Sequence, residues 1–356
     1  MKGLILAGGH GTRLRPLTST GNKHMLPIAN KPMLLYGLEH MRNAGIHDIY
    51  LILGPIKEGV IETLGDGSKH GVKITYIDQP EPKGLAHAVM IAEKQLKGEP
   101  FVMYLGDNLL KQGVTPLIEQ FKETKSDCIV GVTQVKNPSQ YGVVVFNKEG
   151  SIIKFVEKPK EPISNWALIG VYIFNDKVFD AVKKIKPSWR GELEITDTIQ
   201  TLLDEGTKVE VQKVNGWWKD TGKPADMLEA NQLVLKDMQN YIFGKINENA
   251  KLVGNIGIGE GTIIHSKTII HGPVIIGENC EIGPKSHIGP YTSIGDHVKI
   301  TNTEIENSIV MNGTYIDCRE KIIDSLIGKN VEITDSNLSS QKGHKLILGD
   351  ASKVTL

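Results

Sequence analysis

The chain has 356 residues, with Lys plus Arg and Asp plus Glu at 41 each, so overall charge gives no reason to expect a nucleic-acid or anionic-membrane surface. The length suits two domains or one large one. No apolar run reaches membrane-spanning length, the run ahead of the first glycines is too short for a signal segment, and Cys128, Cys280 and Cys318 form neither a CxxC nor a His-spaced pattern. A soluble, unprocessed cytoplasmic protein with reduced thiols and no zinc site is expected, and an anionic ligand would need locally gathered positive charge.

From Lys2 to about Val214, short β-branched runs alternate with amphipathic segments: GLILA, KPMLLYGLEHMRNAG, DIYLIL, KITYID, GLAHAVMIAEKQL, FVMYL. Such alternation predicts a mainly parallel sheet with helices on both faces and ligands at the carboxyl ends of the strands. A helix is expected to open at Pro32 and to stop before Gly45. A second helical segment, from about Pro224 to Gly244, separates this region from a different regime. Beyond it, Ile258, Ile264, Ile270, Ile276, Ile282, Ile288, Ile294 and Ile300 recur every six residues. Four positions after the first seven of them stand Thr262, Thr268, Val274, Cys280, Ser286, Thr292 and Val298. A period of six fits neither a helix nor a hairpin ladder. It is the hexapeptide signature of a β-helix, whose flat faces each contribute one isoleucine to a stacked core beside a small corner residue. The repeat loosens through Ile305, Val310, Ile316, Ile327 and Val331, and the polar stretch Ser339–His344 leads into KLILGD. One or two irregular coils and a docked tail are expected. The division predicted is a first domain over 1–240 and a β-helix with its tail over 241–356.

LAGGHGTRLRPLT directly follows the first strand, and its glycines let successive backbone N–H groups face a phosphate chain. Arg13 within the loop and Lys23 shortly after it add two cations suited to pyrophosphate and the attacked phosphorus. The third glycine of a dinucleotide fingerprint is missing, and so is the GK[ST] of a Walker A loop. VMYLGDN and GWWKDTG place Asp107 and Asp220 at strand ends, where two carboxylates can share one Mg²⁺ that keeps water and substrate phosphates as further ligands. The same aspartates are also good turn formers. QPEPKGLAHA carries Gln79, whose amide both donates and accepts, with Gly84 in the same loop.

LAGGHGTRLRPLT together with NKHMLPIANKPM resembles the signature of the sugar nucleotidylyltransferases. The later motifs are similar to that family segment by segment across the first domain. Within it, LGDGS at Leu64–Ser68 and the terminal LILGDASKVTL resemble the long thymidylyltransferase form, which adds a β-helical tail. The resemblance implies a Rossmann-like, mainly parallel mixed α/β sheet carrying the nucleotidyltransferase site, followed by a left-handed parallel β-helix. It implies transfer of a nucleotidyl group from dTTP to glucose 1-phosphate, giving dTDP-glucose and pyrophosphate, or alternatively from UTP to a glucose, glucosamine or N-acetylglucosamine phosphate, with Mg²⁺ as cofactor.

By the same resemblance, Leu6, Ala7, Gly8, Gly9, Gly11, Gln79, Gly84 and Asp107 bind the nucleotide, the glycines by backbone N–H and Gln79 with Gly84 by reading the pyrimidine edge. Arg13, Lys23, Lys158 and Arg190 carry the charge of the phosphates. Asn108, Tyr141, Gly142, Glu157, Lys158, Asn165 and Leu168 form the sugar-phosphate pocket, and Asp107 with Asp220 holds the metal. The alternative for Glu157 and Lys158 is a cross-strand surface ion pair, worth little. His87, where short thymidylyltransferases usually carry glutamine, is expected to face a neighbour from its helix rather than to act in catalysis. In RGELEITD the two glutamates are expected to cap the following helix.

The β-helix also hosts acyl transfer elsewhere, which makes His265, His271, His287 and His297 candidate bases. The hexads run from Ile258 to Ile300 without an insertion to bind acetyl-coenzyme A, and exposed corner histidines are expected instead. The tail is expected to be structural, mediating homo-oligomer contacts or covering a control surface. A regulatory, non-catalytic subunit shares this architecture, yet a scaffold has no physical need for Arg13, Lys23, Asp107, Lys158 and Asp220 together.

Overall fold

The computed structural model describes residues 1–335 and 344–355. The chain divides into two compact units, one of Met1–His10 with Leu34–Asp220, the other of Gly11–Met33 with Thr221–Leu356.

In the first unit the strands are β1 (Lys2–Ala7), β2 (Asp48–Leu53), β3 (Lys73–Asp78), β4 (Phe101–Leu105), β5 (Asn108–Leu110), β6 (Cys128–Gln134), β7 (Gly142–Phe146), β8 (Ile152–Glu157), β9 (Trp166–Phe174), β10 (Val209–Lys213) and β11 (Trp218–Asp220). The helices of the chain are α1 (Met33–Asn43), α2 (Glu58–Leu64), α3 (Leu85–Ile91), α4 (Glu93–Leu96), α5 (Thr115–Thr124), α6 (Lys177–Val182), α7 (Ile195–Asp204) and α8 (Pro224–Lys236). Among the described residues nine strands form one mixed sheet, ordered β8-β7-β9-β4-β1-β2-β3, with β6 beside β9 and β10 beside β6. Strands β3, β2, β1 and β4 run parallel, and β9 enters antiparallel to β4 and β6. The central strands are apolar at consecutive positions because helices cover both faces; Leu4, Ile5, Val102 and Met103 are fully buried. The expected Rossmann-like mixed α/β sheet is thus present, in a strand order that the alternation alone does not give.

α1 opens one residue after Pro32, and Gly45 lies just past its end in the left-handed region (φ 80°). Pro32 itself closes a short ribbon, Pro27–Ile28 against Lys31–Pro32, whose turn residues Ala29 and Asn30 both have positive φ.

In the second unit the eight hexad isoleucines are all fully buried, and so are the small residues that follow them. Ile258 pairs with Ile276 and Ile276 with Ile294, which makes an eighteen-residue coil of three strands. The strands stack into three parallel sheets of seven, seven and five among the described residues, a left-handed β-helix. Each coil turns its corners through residues in the left-handed region, including Asn279, Asn302, Asn307 and Asn330, the side chain that tolerates it best after glycine.

Three expectations need correction. The helix from Pro224 ends at Lys236, because Tyr241–Ile242 and Lys245–Ile246 already pair in register with the first full coil. After Ile300 the coils shorten but continue, with Ile322 and Ile333 filling the core. The terminal segment is a further coil rather than a docked tail: Ile347–Leu348 pairs with Leu326–Ile327, and Lys353–Thr355 with Glu332–Thr334. Of the polar stretch Ser339–His344, all but His344 lies outside the described residues.

Candidate active site

Within the first unit, β1 delivers buried Leu6 and Ala7 to a close approach of two loops. A Cβ on Gly8 would stand 3.0 Å from Gln79 Oε1 and 3.4 Å from Gly54 N, so only glycine lets the loop pass that near. Gly9, next in the loop, is exposed. Gln79 follows β3, is 5% exposed, and its side-chain Nε2 donates to His87 Nδ1 at 3.0 Å. Gly84, at φ 107°, starts α3 where a Cβ would overlap the Leu193 backbone. Leu193 N donates to Lys83 O at 2.8 Å and Ala86 N to Leu193 O at 3.1 Å, so the Gln79 loop and RGELEITD hold one another.

Asp107 precedes β5, and β11 pairs antiparallel to β5 with Asp220 opposite Asn108. That register sets Asp107 and Asp220 at neighbouring positions of one two-stranded ribbon. Asn108 is 3% exposed; its Nδ2 donates to Asp107 Oδ1 at 3.3 Å, and its Oδ1 accepts from Trp218 Nε1 at 2.8 Å. Two carboxylates on one ribbon suit a hard divalent ion that fills its remaining positions with water and phosphate oxygens. Among the described residues no set of three or more His, Cys, Asp and Glu side chains gathers as a metal cage.

The third group forms where β7 and β8 pair with Gly142 opposite Glu157. A Cβ on Gly142 would stand 2.7 Å from Thr196 Oγ1 and 2.9 Å from Glu157 Oε2, and buried Leu168 lies against the same spot. Glu157 Oε2 accepts from Thr196 Oγ1 at 2.6 Å, while Lys158 Nζ and Arg190 Nη1 approach Oε1 at 3.7 and 3.6 Å. Lys158 is held at φ 39° by the pairing of its N–H with Tyr141 O, and the Tyr141 ring meets Trp218 edge-on at 5.3 Å. Tyr141 thereby ties the Glu157 group to the Asp107 ribbon. Asn165 stands apart, exposed at the start of β9, where its backbone carbonyl accepts from Val135 N.

Arg190 is a bridging cation: besides Glu157 it pairs with Glu192 at 2.8 Å and Glu194 at 3.2 Å. The capping expected of these glutamates is not made. Glu194 occupies the N-cap of α7 without a side-chain cap bond, since its carboxylate is taken by Arg190 and Ser188. Burial, with Glu157 adjacent, raises the Glu194 and Asp197 carboxyls above the ordinary carboxylate range.

In the second unit the glycine-rich loop continues from Gly11 (φ 63°), where a Cβ would stand 2.8 Å from Lys23 Cβ. Thr18 Oγ1 donates to Gly11 O at 2.8 Å, which packs buried Lys23 beside the loop. Arg13 is exposed and its Nη2 would stand 2.8 Å from a Cβ on Gly222. The loop does not lead into an α-helix. A three-residue 3₁₀ turn, Thr12–Leu14, follows instead, because Arg15 before Pro16 is extended. Backbone N–H groups, not a helix dipole, are the loop's offer to an anion.

The hexad histidines also differ from expectation. His271 and His287 lie on strands rather than corners, with Nε2 of His287 3.3 Å from Nδ1 of His271, whereas His297 occupies a left-handed corner. The three cysteines are buried free thiols. No helix among the described residues is long and apolar enough to cross a membrane.

Sequence reasoning missed Thr196, Trp218 and the tie between His87 and Gln79. The first two sit inside motifs already singled out, RGELEITD and GWWKDTG, and only the sheet register reveals what they touch.

A family model described as nucleotidyl transferase matches residues 2–237, and one described as the GMPPB C-terminal domain matches 270–355. The chain is 46% identical to the low-salt glycan biosynthesis nucleotidyltransferase Agl11 of Haloferax volcanii, covering 100% of both chains. It is 45% identical to a glucose-1-phosphate thymidylyltransferase of Streptomyces antibioticus, over 100% of this chain and 99% of the relative. A Bacillus anthracis protein described as a candidate glucose-1-phosphate thymidylyltransferase, solved with sucrose, is 37% identical with a TM-score of 0.63 over 68% of this chain and 98% of its own.

Proposed function

The chain belongs to the nucleotidyl transferase family, and from that premise we propose that it is a glucose-1-phosphate thymidylyltransferase, making dTDP-glucose and pyrophosphate from dTTP and glucose 1-phosphate with Mg²⁺. Nucleotidyl transfer to a sugar 1-phosphate follows from the family, which generally employs a divalent metal. The finer reading is carried by the end-to-end likeness, β-helix included, to the Streptomyces antibioticus enzyme. Uracil presents the same edge to Gln79 as thymine, so UTP is the second reading.

In the proposed reaction a phosphate oxygen of the sugar 1-phosphate attacks the α-phosphorus in line. Being already anionic, it needs no general base, and no covalent enzyme intermediate forms. Asp107 and Asp220 would hold Mg²⁺, which when bound offsets charge on the phosphates. Lys23 faces the attacked group, Arg13 the departing pyrophosphate, and Lys158 the nucleophile. Leu6, Ala7, Gly8, Gly9 and Gly11 supply the nucleotide cradle, and Gln79 with Gly84 reads the base. Glu157 and Gly142 accept and donate to sugar hydroxyls, within a wall completed by Asn108, Tyr141, Asn165 and Leu168. Arg190, engaged by three carboxylates, would set the charge and position of Glu157 and meet phosphate only by exchanging a partner. The functional division proposed is catalysis in 1–240 and a homo-oligomeric, structural β-helix in 241–356.

Pyrophosphate release with Mg²⁺ and glucose 1-phosphate, compared across dTTP, UTP, ATP, CTP and GTP, tests the reading. Turnover should be fastest with dTTP and fall on the order of 100-fold or more in Asp107→Ala. A UTP preference would select the second reading, and no turnover with any nucleotide would overturn both.

A further inference from the structure

We propose that His87 is a specificity-positioning residue: by accepting a hydrogen bond from the Gln79 side chain it fixes the sense of that amide, so that the amide pairs with thymine or uracil and rejects cytosine. The inference rests on Gln79 being the base reader.

The argument starts from the amide itself. Its two ends are nearly equal in size and opposite in hydrogen-bonding character, so packing alone does not choose between them. The choice decides the base. Thymine and uracil offer N3–H flanked by carbonyl oxygens and need an acceptor beside a donor. Cytosine offers a bare N3 beside an exocyclic amine, so it needs the same two groups in exchanged places. An amide free to turn over would accommodate both patterns.

In this chain the amide is not free. Gln79 is 5% exposed, and among the described residues its side chain makes one hydrogen bond, from Nε2 to His87 Nδ1 at 3.0 Å. Its Oε1 lies on the other side, over the backbone of Gly8 in the phosphate-binding loop. One Nε2 hydrogen is thus committed to His87, while the second hydrogen and the oxygen remain for a base. In the tautomer that carries its proton on Nε2, Nδ1 accepts, and reversing the amide would set oxygen against an unprotonated nitrogen; the lock is a property of that tautomer. His87 can play this part because it stands in the first turn of α3, eight residues after Gln79, across the loop closed by the Gly84–Leu193 contact. Burial and the nearby Lys83 lower its pKa, opposed in part by Glu81, which keeps the ring neutral at physiological pH.

Three variants of the full-length enzyme separate this role from mere packing. His87→Leu removes the acceptor, and the ratio of kcat/KM for dTTP over CTP should fall by about tenfold or more, the range expected of one bidentate base contact. The loss should appear in the nucleotide KM, with the KM for glucose 1-phosphate unchanged. His87→Glu, whose carboxylate only accepts, should recover the ratio, whereas His87→Lys, which only donates, should lower it below the leucine variant. An unchanged ratio in His87→Leu would overturn the inference while leaving the proposed function intact. Wild-type enzyme that fails to favour dTTP or UTP over CTP would overturn both. The bond itself is read without substrate: the imidazole ¹⁵N shift of Nδ1 should be that of an unprotonated nitrogen and should move in Gln79→Ala, and a protonated Nδ1 in the wild type would refute the lock.

Discussion

Glu157 shows how one carboxylate can be made ready for a ligand and kept costly at the same time. Thr196, Lys158 and Arg190 all direct charge or a hydrogen towards it, while Glu194 and Asp197 bring further negative charge into the same partly buried space. Asp197 bears the consequence, since its carboxyl is raised first by burial and then by Glu157. A carboxyl raised in the folded state contributes stability when protonated; the contribution is full below the unfolded pKa of about 3.9 and is lost as pH rises through the folded value. Asp197→Asn, which keeps the shape without the charge, should therefore melt higher than the wild type at pH 7 to 8, with the gap closing as pH falls towards 4. Thermal melts at several pH values check this, and a gap that widens in acid would show the sign to be wrong. None of this network was legible in sequence. Glu157 and Lys158 also read as a surface pair, and the glutamates of RGELEITD as helix caps, because linear spacing does not say which side chain reaches across a sheet.

At the scale of elements, legibility follows from periodicity. In the β-helix every coil repeats the same demand for one branched apolar residue per face, so the hexad predicted both the architecture and the buried set. Where the coils shorten after Ile300 the repeat no longer announces itself, and in sequence the last coil reads as a docked tail. In the first unit, the strands but not their order were readable from apolar runs, whereas the 3₁₀ turn after the glycines was decided by a single proline. The hexad also sorts neighbours on one strand. Ile276 is fully buried between Ile258 and Ile294, while Ile275 beside it points outward and is only half-buried. Ile276→Ala should cost about 2–5 kcal/mol through a cavity that stacked coils cannot close. Ile275→Ala should cost less than about 1 kcal/mol. Chemical denaturation followed by circular dichroism compares them, and equal costs would mean that the coil core is not packed as described.

At the scale of the molecule, the compact units do not follow chain order. Gly11–Met33 belongs with Thr221–Leu356, although the sequence places it deep inside the first regime. Its attachments are specific. Thr20 Oγ1 donates to Asp350 at 2.7 Å, Asn30 Nδ2 to the Ile294 carbonyl at 2.6 Å, and Ala29 N to Asn231 Oδ1 at 2.8 Å. Asn231, fully buried on α8, completes the set by accepting from Ser293 and donating to the Tyr291 carbonyl. Several of these partners are β-helix residues, and the segment they hold carries Arg13 and Lys23. A chain ending at Asn240 would keep every residue assigned to catalysis yet lose Ile294, Ser293 and Asp350. Thr20 and Asn30 would then lack their partners, and Asn231, which still holds Ala29 N, would lose its own, each such loss costing on the order of 1–3 kcal/mol where water does not replace it. Pre-organisation of the two cations proposed to meet the phosphates is sensitive to displacements of about an ångström, which can cost on the order of 100-fold in rate. The truncated chain should therefore turn over at least about 100-fold more slowly than the full chain while retaining the far-UV signature of its mixed sheet. Asn231→Ala in the full chain should move in the same direction by a smaller amount. If the truncated chain is fully active, the attachments of Gly11–Met33 to the β-helix are dispensable, and the tail serves assembly alone.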